Sequence, residues 1–184
     1  MQIKSLLIVS CVFLSACSTT KQAPDTTYYL FDAEPVEQKQ KVAKPRVLVN
    51  KVKVPDYLST NQLVMRDSGH ILIKANYHSW ADSLDEAIQR ALLNDLNLLN
   101  ADQEFVIACN DCVSVNVTID HFYPSSDGKL LLSGSFEVIT DNGQSTISRF
   151  QLLEELDGDG YANAVKQMRK QVGLLALRIN KHLL

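Results

Sequence analysis

The chain opens on an apolar block, Leu6, Leu7, Ile8, Val9, Val12, Phe13 and Leu14, preceded by Lys4. Such a block is too short to span a bilayer and has the charged lead and apolar middle of a signal peptide. Further on, the pattern changes to short runs with a period of two. Thr26 to Asp32 is aromatic enough for a strand, and Arg46 to Val54 alternates through Val47, Val49, Val52 and Val54. Gln62 to Arg66 and Ile71 to Asn76 flank Asp67-Ser68-Gly69, whose turn chemistry predicts a hairpin. Val115, Val117 and Ile119 alternate with polar residues over Ser114 to Tyr123. The turns at Pro124 to Gly128 and Asp141-Asn142-Gly143 then set off Lys129 to Thr140 and Ser145 to Leu153, predicting three consecutive antiparallel strands.

Two segments switch to the helical period. Trp80, Leu84, Ala87, Ile88, Ala91, Leu92 and Leu96 form one stripe, predicting a helix from Trp80 to Leu99 with Ser79 as N-cap and Asp82 favouring its positive end. A second stripe, Tyr161, Val165, Met168, Val172, Leu175, Ile179 and Leu183, follows Asp157-Gly158-Asp159-Gly160 and runs to about His182. Two long amphipathic helices and about eight strands predict an α+β fold, a single domain with a largely antiparallel or mixed sheet.

Composition narrows the function classes. With 184 residues the chain fits one domain able to close a core without metal or disulfides. Its 18 Lys plus Arg against 21 Asp plus Glu, a formal charge of −3, lacks the basic excess of a nucleic-acid binder. Residues 18–25 are polar, contain Pro24 and read as a tether, and Ala33 to Lys44 reads as a loop within the domain. No stretch after Cys17 has the length and apolarity of a membrane-spanning helix.

Common catalytic motifs are absent: there is no nucleophile elbow around Ser133-Gly134-Ser135, no phosphate-binding loop and no dinucleotide fingerprint. His70, His78, His121 and His182 lack zinc-motif spacing, and Asp157-x-Asp159 fails as a calcium loop at Tyr161, so no metal or cofactor is expected. Cys109-Asn110-Asp111-Cys112 has two readings. A redox dithiol needs a helix N-terminus at its first cysteine, whereas here a strand is predicted after Cys112; a structural disulfide fits an oxidising compartment.

Leu14-Ser15-Ala16-Cys17 after the apolar block resembles the lipobox of bacterial lipoproteins. That resemblance implies cleavage before Cys17 and acylation of it, and Ser18, not being Asp, implies sorting to the outer membrane with the domain in the periplasm. The organisation expected is a signal peptide over 1–16, the lipidated cysteine and tether over 17–25, and a periplasmic domain over 26–184.

Val52-Lys53-Val54-Pro55-Asp56-Tyr57-Leu58, Asn61-Gln62-Leu63-Val64-Met65-Arg66 and Trp80-Ala81-Asp82-Ser83-Leu84 resemble, in order and spacing, the V-x-V-P-x-Y-L, Q-h-V-x-R and W-A-x-x-L pattern of the ABC-type transport auxiliary lipoproteins of the PqiC type. The resemblance covers nearly the whole mature chain. It implies a non-enzymatic accessory subunit that docks a mammalian-cell-entry (MCE) domain transporter protein to the outer membrane and supports membrane integrity, with self-association left open. The Cys109 and Cys112 pair is not part of that pattern. Trp80 and Leu84 fall on the apolar stripe and read as core, whereas Pro55, Asp56, Tyr57, Leu58 and Arg66 are the candidate partner interface, since a proline-bounded loop with an aromatic and an arginine suits an anchor site. That surface is expected to face away from Cys17. The competing functions are a lipid-binding carrier, which needs an apolar cavity, and a periplasmic thiol oxidoreductase using Cys109 and Cys112.

Overall fold

A computed structural model describes residues 23–31 and 44–183. The signal segment, Cys17, Ser18, most of the tether, Asp32 and the loop up to residue 43 lie outside the described residues.

The elements, in chain order, are β1 (Thr27–Tyr29), β2 (Arg46–Val49), β3 (Gln62–Arg66), β4 (Leu72–Trp80), α1 (Leu84–Leu99), β5 (Glu104–Val106), β6 (Val113–Pro124), β7 (Lys129–Ile139), β8 (Ser145–Glu155) and α2 (Tyr161–Asn180). They form the α+β domain that the pattern predicts. A five-stranded sheet has the order β5-β2-β6-β7-β8, with β2 parallel to both of its neighbours and β6, β7 and β8 antiparallel. A smaller sheet has the order β1-β4-β3, with β1 parallel to β4. A bridge from Arg66 of β3 to Ser125 joins the smaller sheet to the end of β6, while a bridge from Lys53 to Thr118 continues the β2 edge along β6.

Alternation is clean where a strand has one dry face. Along β7, Leu130, Leu132, Gly134, Phe136 and Val138 are buried while the residues between them are half-buried. The dry face packs on both helices in one core with Ile88, Leu92, Leu96, Met168, Val172 and Leu175, each nearly inaccessible. Gln171 is the polar residue buried within the α2 stripe, and its Nε2 donates to the Leu130 carbonyl at 3.2 Å, tying the helix to the sheet. Between the helices, Arg169 clamps Asp95 with two hydrogen bonds of 2.7 Å each, a bidentate pair beside Gly173.

Three boundaries differ from expectation. Trp80 ends β4 instead of opening α1, and the helix begins at Leu84 with Ser83, not Ser79, at its N-cap. Trp80 sits four residues before Leu84, so helical spacing claimed it; in the fold it pairs with Tyr29 and packs edge-on against Phe31, ring centroids 4.8 Å apart. Asp82 makes an ion pair with Arg90 instead of completing a capping box. The predicted strand from Arg46 to Val54 is broken: β2 stops at Val49, and Lys53 rejoins β6 through its amide to the Val117 carbonyl at 2.9 Å.

Candidate functional site

Pro55, with extended backbone (φ −68°, ψ 156°), leads into a single 3-10 turn over Asp56–Leu58. The turn is closed by the Leu58 amide on the Pro55 carbonyl at 2.9 Å. With three residues per turn, consecutive side chains leave it in three directions. Asp56 is exposed, Tyr57 is half-buried and Leu58, 3% exposed, belongs to the core. Leu58 therefore leaves the set of surface candidates, because its side chain is the plug that seats the turn.

Tyr57 reaches β6 at an irregularity. The β6–β7 register shifts between Ile119 and His121, which leaves Asp120 without a partner in the ladder. The Tyr57 hydroxyl donates to that free Asp120 carbonyl at 2.9 Å and lies 3.1 Å from His121 Nδ1. Burial, then the neighbouring Tyr123 hydroxyl and the Asp120 charge, push the Tyr57 pKa up to about 12. Tyr57 is accordingly a neutral donor throughout the physiological range.

Arg66, the last residue of β3, approaches the same place from the other side. Its guanidinium carbon is 5.9 Å from the Tyr123 ring centroid, and the Tyr57 ring is 6.4 Å from the same ring. The Arg66 carbonyl accepts the Ser126 amide at 2.9 Å, fixing the end of β3 to the β6–β7 turn. In that turn Asp127 lies 3.9 Å from Arg66 and 3.3 Å from Lys129. The Ser125 hydroxyl first, and these two cations after it, hold its carboxyl below the usual carboxylate range against a smaller opposing effect of desolvation.

Tyr57 and Arg66 are thus brought together around Tyr123, on the face of the large sheet opposite the helices. The same register aligns Tyr123 with Leu131 and Leu131 with Leu153, extending an apolar row across β6, β7 and β8 to the 55% exposed Leu153. Tyr123, Leu131 and Leu153 were not singled out from the sequence, and His121 was weighed only as a metal ligand. Strict alternation from Val115, Val117 and Ile119 would turn residues 121 and 123 toward the core; the bulge reverses them, and a bulge of this kind leaves no composition signal in β6. Gly134, paired with Ile119, is a signal that could have located it. An added Cβ there would overlap the Thr118 carbonyl.

Cys109 and Cys112 are joined as a disulfide in the loop between β5 and β6, with Cα atoms 6.0 Å apart and Asp111 in the left-handed region (φ 54°). A strand and not a helix follows, so the arrangement lacks the helix dipole that a low-pKa thiolate uses. The histidines are scattered. His78 stacks on Tyr161 at 3.9 Å and hydrogen-bonds the Tyr29 hydroxyl at 2.9 Å; His182 contacts the Arg178 carbonyl at 3.0 Å; His70 is exposed. Among the described residues, no group of three or more His, Cys, Asp or Glu side chains is placed to hold a metal ion, and no helix is long and apolar enough to cross a membrane.

A pocket of about 330 Å³ lies between Met65, the β6–β7 turn and the start of α2, lined also by Leu156, Tyr161 and Ala164. It is at the small end of the roughly 300–1,000 Å³ range of ligand sites.

Residues 28–180 match the family model described as ABC-type transport auxiliary lipoprotein component. The chain is 30% identical over 168 residues to the intermembrane transport lipoprotein PqiC of Escherichia coli (strain K12), covering 89% of this chain and 88% of that protein; the PqiC of Shigella flexneri gives the same figures. A crystal structure of an uncharacterised protein superposes with a TM-score of 0.78 at 24% identity, over 88% of this chain and all of that one. A Xanthomonas campestris protein superposes with a TM-score of 0.67 at 10% identity, over 83% of this chain and 92% of that one. These two likenesses establish the fold.

Proposed function

The chain belongs to the ABC-type transport auxiliary lipoprotein family, and from that premise we propose that it is a non-enzymatic accessory subunit of an MCE-type intermembrane lipid transport system, held at the periplasmic face of the outer membrane and supporting membrane integrity. The observation that carries this reading is the 30% identity, along nearly its whole length, to proteins named intermembrane transport lipoproteins. The anchor is Cys17, acylated after removal of residues 1–16. The partner is an MCE-domain protein reaching across the periplasm, and its contact is the patch of Pro55, Asp56, Tyr57 and Arg66 with His121 and the Leu131 and Leu153 row, seated on the buried Tyr123.

The geometry supports this. An aromatic and an arginine, each fixed by hydrogen bonds or ring contacts, meet over Tyr123 at one end of an apolar row that leads to the exposed Leu153, which is the residue chemistry of interface anchors. The pocket beside Met65, about 330 Å³, has room for part of an acyl chain.

The test is co-purification of the lipidated chain with an MCE-domain protein after crosslinking. Asp56→Lys combined with Arg66→Glu reverses the charge at each of the two positions, leaves the net charge of the patch unchanged, removes no core atoms and is expected to reduce recovery of the partner by about fivefold or more. Equal recovery by variant and parent, at equal expression and lipidation, removes the patch from the contact. Tyr57→Ala serves less well, because Tyr57 is a folding contact as well as a surface one.

A further inference from the structure

The hairpin of β3 and β4 ends in three successive aliphatic residues that face solvent: Ile71, Leu72 and Ile73, exposed by 56%, 40% and 41%. Half-buried strands do not need such a run, since alternation would make at least the middle residue polar. The tip is well formed. The Asp67 amide donates to the Ile71 carbonyl and the Ile71 amide to the Ser68 carbonyl, each at 2.9 Å, with Gly69 at φ 52° supplying the left-handed corner. Exposed His70 and Lys74 flank the aliphatic run on its two sides.

We propose that this tip is a lipid-contacting wedge which seats the domain, tip first, on the phospholipid surface that holds Cys17. The inference rests on the acyl anchor of the proposed function and goes beyond it by assigning the orientation of the domain. The direction of β1 supplies the occupant. β1 runs parallel to β4, with Thr27 opposite His78 and Tyr29 opposite Trp80. The chain before Thr27 therefore enters from the side on which β4 begins, which is the side of the tip. From His78 back to Ile71 is seven residues, about 23 Å of strand. From Thr27 back to Cys17 is ten residues, at most about 33–36 Å. The anchor can thus lie about 10 Å beyond the tip, a reach long enough for the tip to rest on the bilayer surface.

The rest of the molecule divides along the same axis. The β6–β7 turn lies at the tip end, because Arg66 bridges to Ser125 and the Ser126 amide bonds the Arg66 carbonyl. The disulfide loop lies at the other end. It precedes Val113, and Val113 to Pro124 spans eleven residue steps, about 36 Å. Ile107, 68% exposed in that loop, marks the end turned away from the membrane. Arg66 consequently sits near the membrane end, so a partner contact at Arg66 and Tyr57 is made along the open sheet face and not at the tip farthest from Cys17.

The experiment compares two probes in the full lipidated protein, reconstituted in vesicles of phosphatidylethanolamine and phosphatidylglycerol at a ratio of about three to one. Ile71→Trp and Ile107→Trp are made separately at exposed positions, and the emission of the native Trp80, which is 3% exposed, is subtracted using the parent. Lipids carrying a nitroxide on the upper acyl chain report contact. Quenching of the Trp at position 71 at least twofold stronger than at position 107 is the expected result. Protein that floats with the vesicles but shows equal quenching at both positions overturns the orientation while leaving the anchor intact. A position-71 emission that is blue-shifted yet unquenched by lipid means that a second copy or another protein covers the tip, and this also overturns the wedge. Protein that fails to float at all overturns the anchor, and the inference falls with it.

Discussion

The Tyr57 hydroxyl is held between the Asp120 carbonyl and His121, and its pKa near 12 makes it titrate far from the other consequences of pH. An unfolded tyrosine ionises near about 10. Below that value both states keep the proton and the interaction contributes fully; as pH rises from about 10 to about 12 the unfolded chain loses its proton first, so stability falls through that window. An alkaline titration followed by phenolate absorbance is expected to show a tyrosine ionising near pH 12 that is absent in Tyr57→Phe, while the raised Tyr29, held up first by burial, persists. In urea unfolding at neutral pH, Tyr57→Phe should cost about 1 kcal/mol for the lost hydrogen bond, and Tyr57→Ala about 2–4 kcal/mol more as ring packing against Tyr123 is lost as well. A Tyr57→Phe chain as stable as the parent, with no high-pH tyrosine lost from the parent's titration, would show that the Asp120 contact is not formed in solution. The residue pattern exposed the candidate pair, Tyr57 and Arg66, but not Tyr123, the ring that joins them: contact between β3, the 3-10 turn and β6 is a product of sheet assembly, and side-chain periodicity carries no information about it.

At the scale of elements, the decisive irregularity is the bulge in β6. Gly134 accommodates it by letting the Thr118 carbonyl approach where a Cβ would stand. Gly134→Ala is expected to destabilise the domain by about 1–3 kcal/mol through overpacking, read from the urea midpoint, whereas Ser133→Ala next to it should be nearly neutral. Equal stability of both variants would mean that the bulge relaxes at no cost. The disulfide between Cys109 and Cys112 closes a very short loop, so its entropic contribution is small, about 2 kcal/mol or less. Alkylation without reductant, followed by mass spectrometry, should find both thiols protected in protein taken from the periplasm; alkylation of both would favour the dithiol reading. Strands with one dry face, β6 and β7, and both helices were legible because burial imposes a period on them, and β8, with only Phe150 buried, was legible from the turn at Asp141-Asn142-Gly143 before it. β5 was not: Glu104–Val106 has only Phe105 buried, too few positions for a period. The parallel pairing of β1 with β4 and of β2 with β5 and β6 was hidden for another reason. Partner direction depends on where intervening segments return the chain, and two short strands of similar composition fit either direction.

For the molecule as a whole, the anchor and the fold meet in the direction of one three-residue strand. If β1 had paired antiparallel to β4, the same tether would place the disulfide end nearer the membrane. Acylation itself is a separate expectation: labelling with a fatty acid should mark the parent and not Cys17→Ala, and equal label on both would remove the anchor. The sequence carried this expectation alone, because Cys17 lies outside the described residues. It also carried the family, through Pro55 to Leu58, Arg66 and Trp80, although these residues turned out to divide among a core plug, an open sheet face and the end of a strand. The short motif is therefore in part a record of how one corner of the domain packs: Leu58 and Trp80 are buried, while Pro55, Asp56, Tyr57 and Arg66 remain available to a partner. The measurement that bears most directly on the proposed role is site-specific photocrosslinking in intact cells, with a photoreactive amino acid in place of the exposed Asp56. Mass spectrometry of the adduct is expected to identify an MCE-domain protein. Adducts confined to other copies of this chain, or to proteins without such a domain, would contradict the role as a transporter-docking subunit.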